Sequence, residues 1–432
     1  MRTRLLLILL LTIALHSQAR NNYIFNSTRV STLDGLSSNT VRCMLQDQRG
    51  YLWFGTSNGL SRYDGYHFVN FSPEDPGCTL VGGHVNELRE DTCRSLLWIT
   101  STNNSTACYD LQRNTFIAYE QPDLAHDRYS HFFLSSHHAA LYDEDRGLRL
   151  LRLEDGVLKA TDYNVANGLL HHNRVQPLQE DSLHQVWIPT LGGLAMLKAD
   201  GQLAHLDTTQ GYEAVTCRQG KAYALRTDKS VVVYDTNGHV LKQVRNQQTK
   251  DGTVWYHAQW NNLWLLMHPD GIMAFDLSNE QFITTPADIS LRQAYPIFQD
   301  DATLWLAADD NRLYLLTADR QAPRSLTLIS QKSVDAGIHP RYRIAKGSTN
   351  ERYYIAVYGE GLYIYDTATA ETRHYTAEDE RPLIHSDYIL DLTFERSKTL
   401  WVSCDFIGLS KITLPAITSH MVFPDNKRLK DR

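Results

Sequence analysis

Five times in this chain a tryptophan or tyrosine within an apolar stretch is followed, six or seven residues later, by Gly-Leu or Gly-Ile. The pairs are Trp53 with Gly59-Leu60, Trp187 with Gly193-Leu194, Trp264 with Gly271-Ile272, Tyr354 with Gly361-Leu362 and Trp401 with Gly408-Leu409. A unit repeated at this period cannot bury its own apolar face and must stack on copies of itself. The repeat therefore predicts an all-β chain folded as a β-propeller of four-stranded blades.

The first copy shows the unit most fully. Val41 to Gln46 reads as a strand, Asp47 to Gly50 as a turn, Tyr51 to Gly55 as a second strand, and Asn58-Gly59 as a hairpin turn. Leu60 to Asp64 and the aromatic-rich Tyr66 to Phe71 supply the third and fourth strands. Imperfect copies centre on Trp98, Tyr142, Trp187, Tyr223, Trp264, Trp305, Tyr354 and Trp401, which makes nine units. Their spacing averages about 43 to 44 residues, inside the roughly 40 to 50 expected of propeller blades. An acidic residue recurs five to seven positions before the aromatic at Asp47, Asp91, Asp181 and Asp300. An aromatic-Asp pair closes the third strand at Tyr63-Asp64, Tyr109-Asp110, Tyr234-Asp235, Phe275-Asp276 and Tyr365-Asp366. One blade buries too little apolar surface to stand alone, so each central aromatic is assigned to packing between blades rather than to stacking on a ligand.

Nine units admit two arrangements. The preferred one is a seven-bladed propeller over residues 20–328, followed at 329–432 by two blades that begin a second propeller. The alternative is a single eight- or nine-bladed ring that 329–432 completes. In both, Tyr23 to Leu33 can serve as the outer strand that fastens the last blade.

At the N-terminus Arg2 and Arg4 precede the apolar run Leu5 to Leu15, and Ser17-Gln18-Ala19 offers small residues where a signal peptidase cuts. Residues 1–19 are read as a signal peptide cleaved after Ala19, and the mature chain is expected in the periplasm or outside the cell. The run is short of the about 20 apolar residues that span a bilayer, and no later segment reaches that length. Without the leader's two arginines the formal charge moves from -7 to -9, a balance that argues against nucleic acid as a partner. Six cysteines, Cys43, Cys78, Cys93, Cys108, Cys217 and Cys404, form no zinc pattern; both a bridge between neighbouring blades and buried free thiols are open.

No phosphate-binding loop, nucleophile elbow, zincin helix or dinucleotide fingerprint occurs, and no cofactor is expected. The pairs His137-His138 and His171-His172 are not read as metal sites, because neighbours on a strand point to opposite faces. Function is sought instead at one mouth of the central channel, where the loops entering the innermost strands gather. These lie about 14 residues before each aromatic, at Asn39, His84, Asn173 and Asp387. Beside them, or in the same loop of other blades, stand Tyr129, His131, His172, Arg174, Tyr256, His257, Tyr295, Tyr342, Arg343, His385 and Tyr388. Such a ring suits an oligosaccharide: aromatic faces cover C–H patches while polar groups bond hydroxyls or carboxylates.

The string Gly35-Leu-Ser-Ser-Asn-Thr-Val41, continued by Gln46-Asp-Gln-Arg-Gly-Tyr-Leu-Trp53-Phe-Gly-Thr-Ser-Asn-Gly-Leu60-Ser-Arg-Tyr-Asp-Gly65, resembles the two-component regulator propeller repeat. That resemblance implies the periplasmic sensor region of hybrid two-component systems, which detect glycan fragments and switch on polysaccharide utilisation genes. Such proteins carry two seven-bladed propellers, an immunoglobulin-like domain, a membrane helix, a histidine kinase, a receiver and a DNA-binding region. This sequence shows only the sensing half. It implies either a truncated sensor or a free-standing propeller acting through a partner, as a homodimer or with a membrane sensor. Two other readings stand beside it. One is a propeller lyase casting Arg174, Arg343, His172 and His385 as acid-base and carboxylate-neutralising groups, or a glycosidase, for which only Asp387 is placed. The other is a remnant that binds nothing.

Overall fold

The computed structural model describes residues 25–246, 252–284, 291–317, 324–330, 341–347, 351–396 and 398–413. The predicted signal peptide lies outside the described residues. Among these residues nine antiparallel four-stranded sheets form blades 1 to 9, over residues 41–71, 87–117, 131–163, 179–207, 212–244, 256–283, 295–326, 342–375 and 389–413. In the first eight, sheet order follows chain order from the innermost strand to the outermost. Blade 9 takes only three strands from its own segment, Ile389–Phe394, Thr399–Cys404 and Gly408–Thr413. Its fourth is Asn26–Val30, paired antiparallel with the last strand from Asn26 opposite Thr413 to Val30 opposite Leu409. No helix among the described residues is long and apolar enough to cross a membrane.

The ring closes at nine. Among the described residues nine buried apolar clusters occur, one between each neighbouring pair of blades, including the pair formed by blade 9 and blade 1. At that seam Trp401 packs against Phe54 at 5.5 Å between ring centroids. Met44 N donates to Asp391 Oδ2 at 2.8 Å, and Arg396 Nη1 donates to Gln48 O at 2.8 Å. The preferred arrangement of seven blades plus two thus gives way to the single ring, with the last two blades completing it. Stopping at seven would leave the flanks of blades 8 and 9 wet, and each large side chain there forfeits about 1.5–3 kcal/mol of burial. The chain's start fastens the last blade as expected.

The repeat's marks each have a physical cause. The central aromatics sit on the second strands; Trp53, Trp187, Trp264, Trp305 and Trp401 are all fully buried. The acid six residues ahead accepts the indole N–H: Trp53 Nε1 donates to Asp47 Oδ2 at 2.9 Å, Trp187 Nε1 to Asp181 Oδ2 at 2.9 Å and Trp401 Nε1 to Glu395 Oε2 at 3.1 Å. The same carboxyl holds the turn between the first two strands, with Asp47 Oδ1 accepting from Tyr51 N at 2.9 Å. At other spacings the bond fails. Asp91, seven before Trp98, pairs with Arg94, and Asp300, five before Trp305, accepts from Thr303 and Tyr353. The indole nitrogens of Trp98 and Trp305 have no partner among the described residues. The recurring glycine has a steric cause as well. Gly59 opens the third strand at φ +88°, and a Cβ there would collide with the carbonyl oxygen of Phe71 at the end of the outermost strand. At Gly408 the obstructing carbonyl is that of Val30, so the N-terminal strand reproduces the contact of an ordinary fourth strand.

The six cysteines are free. Burial raises the thiols of Cys43, Cys108, Cys217 and Cys404 well away from ionisation.

Candidate functional site at the channel mouth

Two kinds of connection reach the same mouth of an antiparallel blade: the loop entering the first strand and the hairpin between the second and third. Between blades 8, 9, 1 and 2 they enclose a cavity of about 630 Å³. Thr40, His84, Asn86 and Arg341 come from the entering loops, and Arg42, Arg343, Ile389 and Leu390 from that end of the inner strands. Ser57, Tyr358, Asp405 and Phe406 come from the hairpins. Bulges aim two of these. Pairing of the first two strands slips between Val41 and Cys43 in blade 1 and between Ile389 and Asp391 in blade 9, leaving Arg42 and Leu390 as the extra residues.

The wall is basic. Arg42, Arg341 and Arg343 line it against one lining carboxylate, Asp405, and none of the three makes an ion pair among the described residues. Arg42 Nη1 donates to Asn86 Oδ1 at 3.5 Å and Arg343 Nη1 to the Tyr342 carbonyl at 3.1 Å. Arg341 lies over the Tyr358 ring at 5.6 Å. Tyr388 meets Tyr358 edge to face at 5.2 Å, and Tyr358 donates from its hydroxyl to Asp405 Oδ2 at 3.4 Å. Phe406 is 76% exposed at the rim. Just below, desolvation pushes the Asp391 carboxyl up to about 6, against N–H bonds from Met44 and Leu392 and the nearby charge of Arg343.

Of the residues expected at the mouth, His84 and Arg343 line this cavity and Tyr388 stands at its edge on Tyr358. Tyr129 and His131 line an adjoining recess of about 300 Å³ that shares Arg343 and Asn86 with it. The Tyr129 ring is largely buried beneath Arg146 and Arg149, at 5.7 and 5.2 Å, and His131 stacks on Tyr142 at 5.0 Å. Tyr256 and Tyr295 face each other at 6.1 Å on blades 6 and 7.

The others are taken up locally. Tyr342 is buried and donates to the Asn311 carbonyl at 3.1 Å, while His385 Nδ1 lies 2.6 Å from Ser410 Oγ. Asn173 bridges Val165 N and the Asp145 carbonyl, at 2.9 and 2.8 Å. His172 Nδ1 accepts from Arg174 N at 2.9 Å, and Arg174 pairs with Glu144 at 2.6 Å. Asn39 accepts from Thr32 N and Asp387 from Ala377 N. His257 Nδ1 accepts from the Trp264 indole at 3.3 Å. Arg174, His172 and His385 are absent from the cavity that Arg343 lines.

The spacing of 14 misses the inner-strand residues and the hairpins. A count of 11 before the central aromatic reaches Arg42, Glu87, His131, Arg343 and Leu390, and all five line one of the two recesses.

Comparison with known proteins bears on the repeat. Residues 35–58 match the family model described as two component regulator propeller. Histidine kinase P4 of Formosa agariphila is 40% identical over 67 residues, which are 15% of this chain and 5% of that protein. Among solved structures, the extracellular domain of the putative hybrid two component system BT4673 from B. thetaiotaomicron aligns at a TM-score of 0.40 and 14% identity, over 89% of this chain and 66% of that one. The extracellular domain of the putative hybrid two component system BT3049 from the same organism aligns at a TM-score of 0.28 and 15% identity, over 90% and 65%. The chain thus spans less than two thirds of the length of these relatives. It is, over the described residues, a nine-bladed β-propeller whose first blade and the loop entering it match the two component regulator propeller model at residues 35–58.

Proposed function

We propose that this chain is the ligand-recognising propeller of a two-component signalling system, exported from the cytoplasm, and that its channel mouth receives an oligosaccharide carrying carboxylate or sulfate groups. One observation carries the reading: three arginines without ion-pair partners among the described residues line a cavity of about 630 Å³ rimmed by Tyr358, Tyr388 and Phe406. That volume falls in the roughly 300–1,000 Å³ range of small-molecule sites. Planar guanidinium groups bind carboxylate and sulfate oxygens in pairs, and aromatic faces cover the C–H surface of a sugar ring. The family match of residues 35–58 supports the signalling context, and the leader-like run Leu5 to Leu15 supports export. The bound state is read out by a second copy or by a membrane sensor.

The test is calorimetry of the purified chain against matched neutral and acidic oligosaccharides, with product analysis of the same mixtures. An acidic ligand binds without being cleaved, and Arg343→Ala and Arg42→Ala each weaken it about 10- to 100-fold, the equivalent of one lost charge-assisted contact. Equal binding of neutral and acidic sugars, or unchanged affinity in both variants, overturns the ligand class. New reducing ends or unsaturated products would replace the binding role with an enzymatic one.

A further inference from the structure

On the opposite face of the ring from the mouth, the turns between first and second strands of blades 3 and 4 bring four chemistry-bearing side chains together. His137 and His138 occupy the turn between His131–Leu134 and Ala139–Asp143 of blade 3. Glu180 ends the short inner strand Gln179–Glu180 of blade 4, and His184 lies in the turn that follows. Because His137 and His138 sit in a turn and not on a strand, the alternation that sends neighbours to opposite faces does not apply. Both Nδ1 atoms point at one carboxylate. His138 Nδ1 lies 3.1 Å from Glu180 Oε2, His137 Nδ1 3.4 Å from Oε1, and His184 Nδ1 2.9 Å from the same Oε1.

We propose that His137, Glu180 and His184 form a binding site for a divalent transition metal of the zinc class, clamping blade 3 to blade 4, with His138 holding the second carboxylate oxygen. Three observations support it. The ligand atoms of these three residues all lie within 4.8 Å of one another. A tetrahedral ion with bonds of about 2.0–2.1 Å sets its ligands about 3.3–3.4 Å apart; His137 Nδ1, at 3.4 Å from Oε1, already stands at that separation, and His184 Nδ1, at 2.9 Å, would move out by about 0.4–0.5 Å. The carboxylate is also held in place. Ser135 and Ser136 donate hydroxyls to it beside the bonds from His138 and His184, four contacts that fill about four lone-pair sites, while His137 Nδ1 lies 2.9 Å from Ser136 Oγ. Finally, the His137 and His184 rings lie only 3.6 Å apart between centroids, at 35°. Both rings thus present Nδ1 to the same carboxylate oxygen, the arrangement in which one ion reaches all three ligand atoms.

The donor set selects the ion. Two imidazole nitrogens and one carboxylate oxygen suit zinc, nickel or copper, whereas calcium and magnesium require oxygen throughout. His137 and His184 are about half exposed, at 52% and 48%, and Glu180 is 9% exposed. The site is therefore open to solvent on the imidazole side and anchored on the carboxylate side.

The test uses the untagged chain, stripped with chelator and dialysed. Zinc titration by calorimetry gives one equivalent bound, and a Co²⁺ titration gives the visible absorption of a low-coordinate cobalt centre. His184→Ala and Glu180→Gln each weaken zinc at least tenfold and abolish the cobalt spectrum. Zinc also raises the melting temperature of the wild-type chain and not of His184→Ala, as expected of a ligand that binds only the folded state. His137→Ala, a second exposed position, guards against a folding defect at Glu180. A stoichiometry near zero, or zinc affinity and cobalt spectrum unchanged in His184→Ala and His137→Ala, would show that the cluster is a hydrogen-bonded brace and would sink the proposal.

Discussion

The carboxyl that meets the central indole in blade 1 gives a direct measure of what the repeat's spacing is worth. Asp47 is fully buried, and its two oxygens accept from Trp53 Nε1 and Tyr51 N, both at 2.9 Å. Asp47→Ala strands both buried donors and also releases Arg49, whose Nη2 lies 3.4 Å from Oδ2 on the solvent side and adds little. A buried bond to a charged acceptor is worth about 1.5–3 kcal/mol and the backbone bond about 1, so the substitution costs about 2.5–4 kcal/mol. Trp53→Phe removes the donor together with part of a ring that packs on Tyr109 at 5.2 Å. With the indole N–H already gone, Asp47→Ala loses one of its two penalties. The double-mutant cycle should therefore return a coupling of about 1.5–3 kcal/mol. Blade 2 supplies the control. Trp98 Nε1 has no partner among the described residues and Asp91 is occupied by Arg94, so Asp91→Ala with Trp98→Phe should show a coupling under about 0.5 kcal/mol. The assay is urea denaturation followed by far-ultraviolet circular dichroism, since fluorescence would change with the tryptophan itself. Equal m-values across the set are required before midpoints are converted to free energies. Equal coupling in the two blades, or none in blade 1, would refute the claim that a six-residue spacing builds the bond.

Two further outcomes follow from the closure and from a half-buried histidine. Gly408→Ala drives a Cβ into the Val30 carbonyl at φ +105°, a strain of about 1–3 kcal/mol, and should release Asn26–Val30 selectively. Hydrogen exchange would show faster amides in that strand, whereas Gly59→Ala, colliding with Phe71, should leave it protected; equal exchange in both variants contradicts the strap. His257 is held down to about 4 by desolvation, below its ordinary 6.5, so the stability it contributes is complete above pH 6.5 and drains away as pH falls toward 4. His257→Gln should flatten the fall in urea midpoint over that window, and parallel wild-type and variant curves would count against it.

How much of this was legible before the structure depends on whether each residue's role is local. The blade is local: Trp53, Asp47 and Gly59 interact within 25 residues of chain, so their spacing in sequence reports their geometry. Closure is not local. Whether blade 7 turns to meet blade 1 or blade 8 depends on the angle accumulated at every interface, and the clusters that set it draw on a similar mix of aliphatic and aromatic side chains at each one. No single position marks a ring of nine. What the chain did disclose was the strap, because a strand-like segment ahead of the first full unit has nowhere to pair except on an incomplete last blade.

The mouth was half legible for a related reason. Loop residues must first satisfy their own backbone, and short polar side chains do this best. Asn39, Asn173 and Asp387 fell at the counted position and serve that purpose, accepting from Thr32, Val165 and Ala377. A loop count cannot separate such braces from residues that face the channel. Strand position can, since a side chain on the inner strand has only two directions and the bulge at Arg42 selects one of them. The position 11 residues before the aromatic places Arg42, Glu87, His131, Arg343 and Leu390 on the channel wall in five of the nine blades. The ligand chemistry of the mouth is therefore set chiefly by what the inner strands carry, and the two arginines at that position, one in blade 1 and one in blade 8, give it its basic wall.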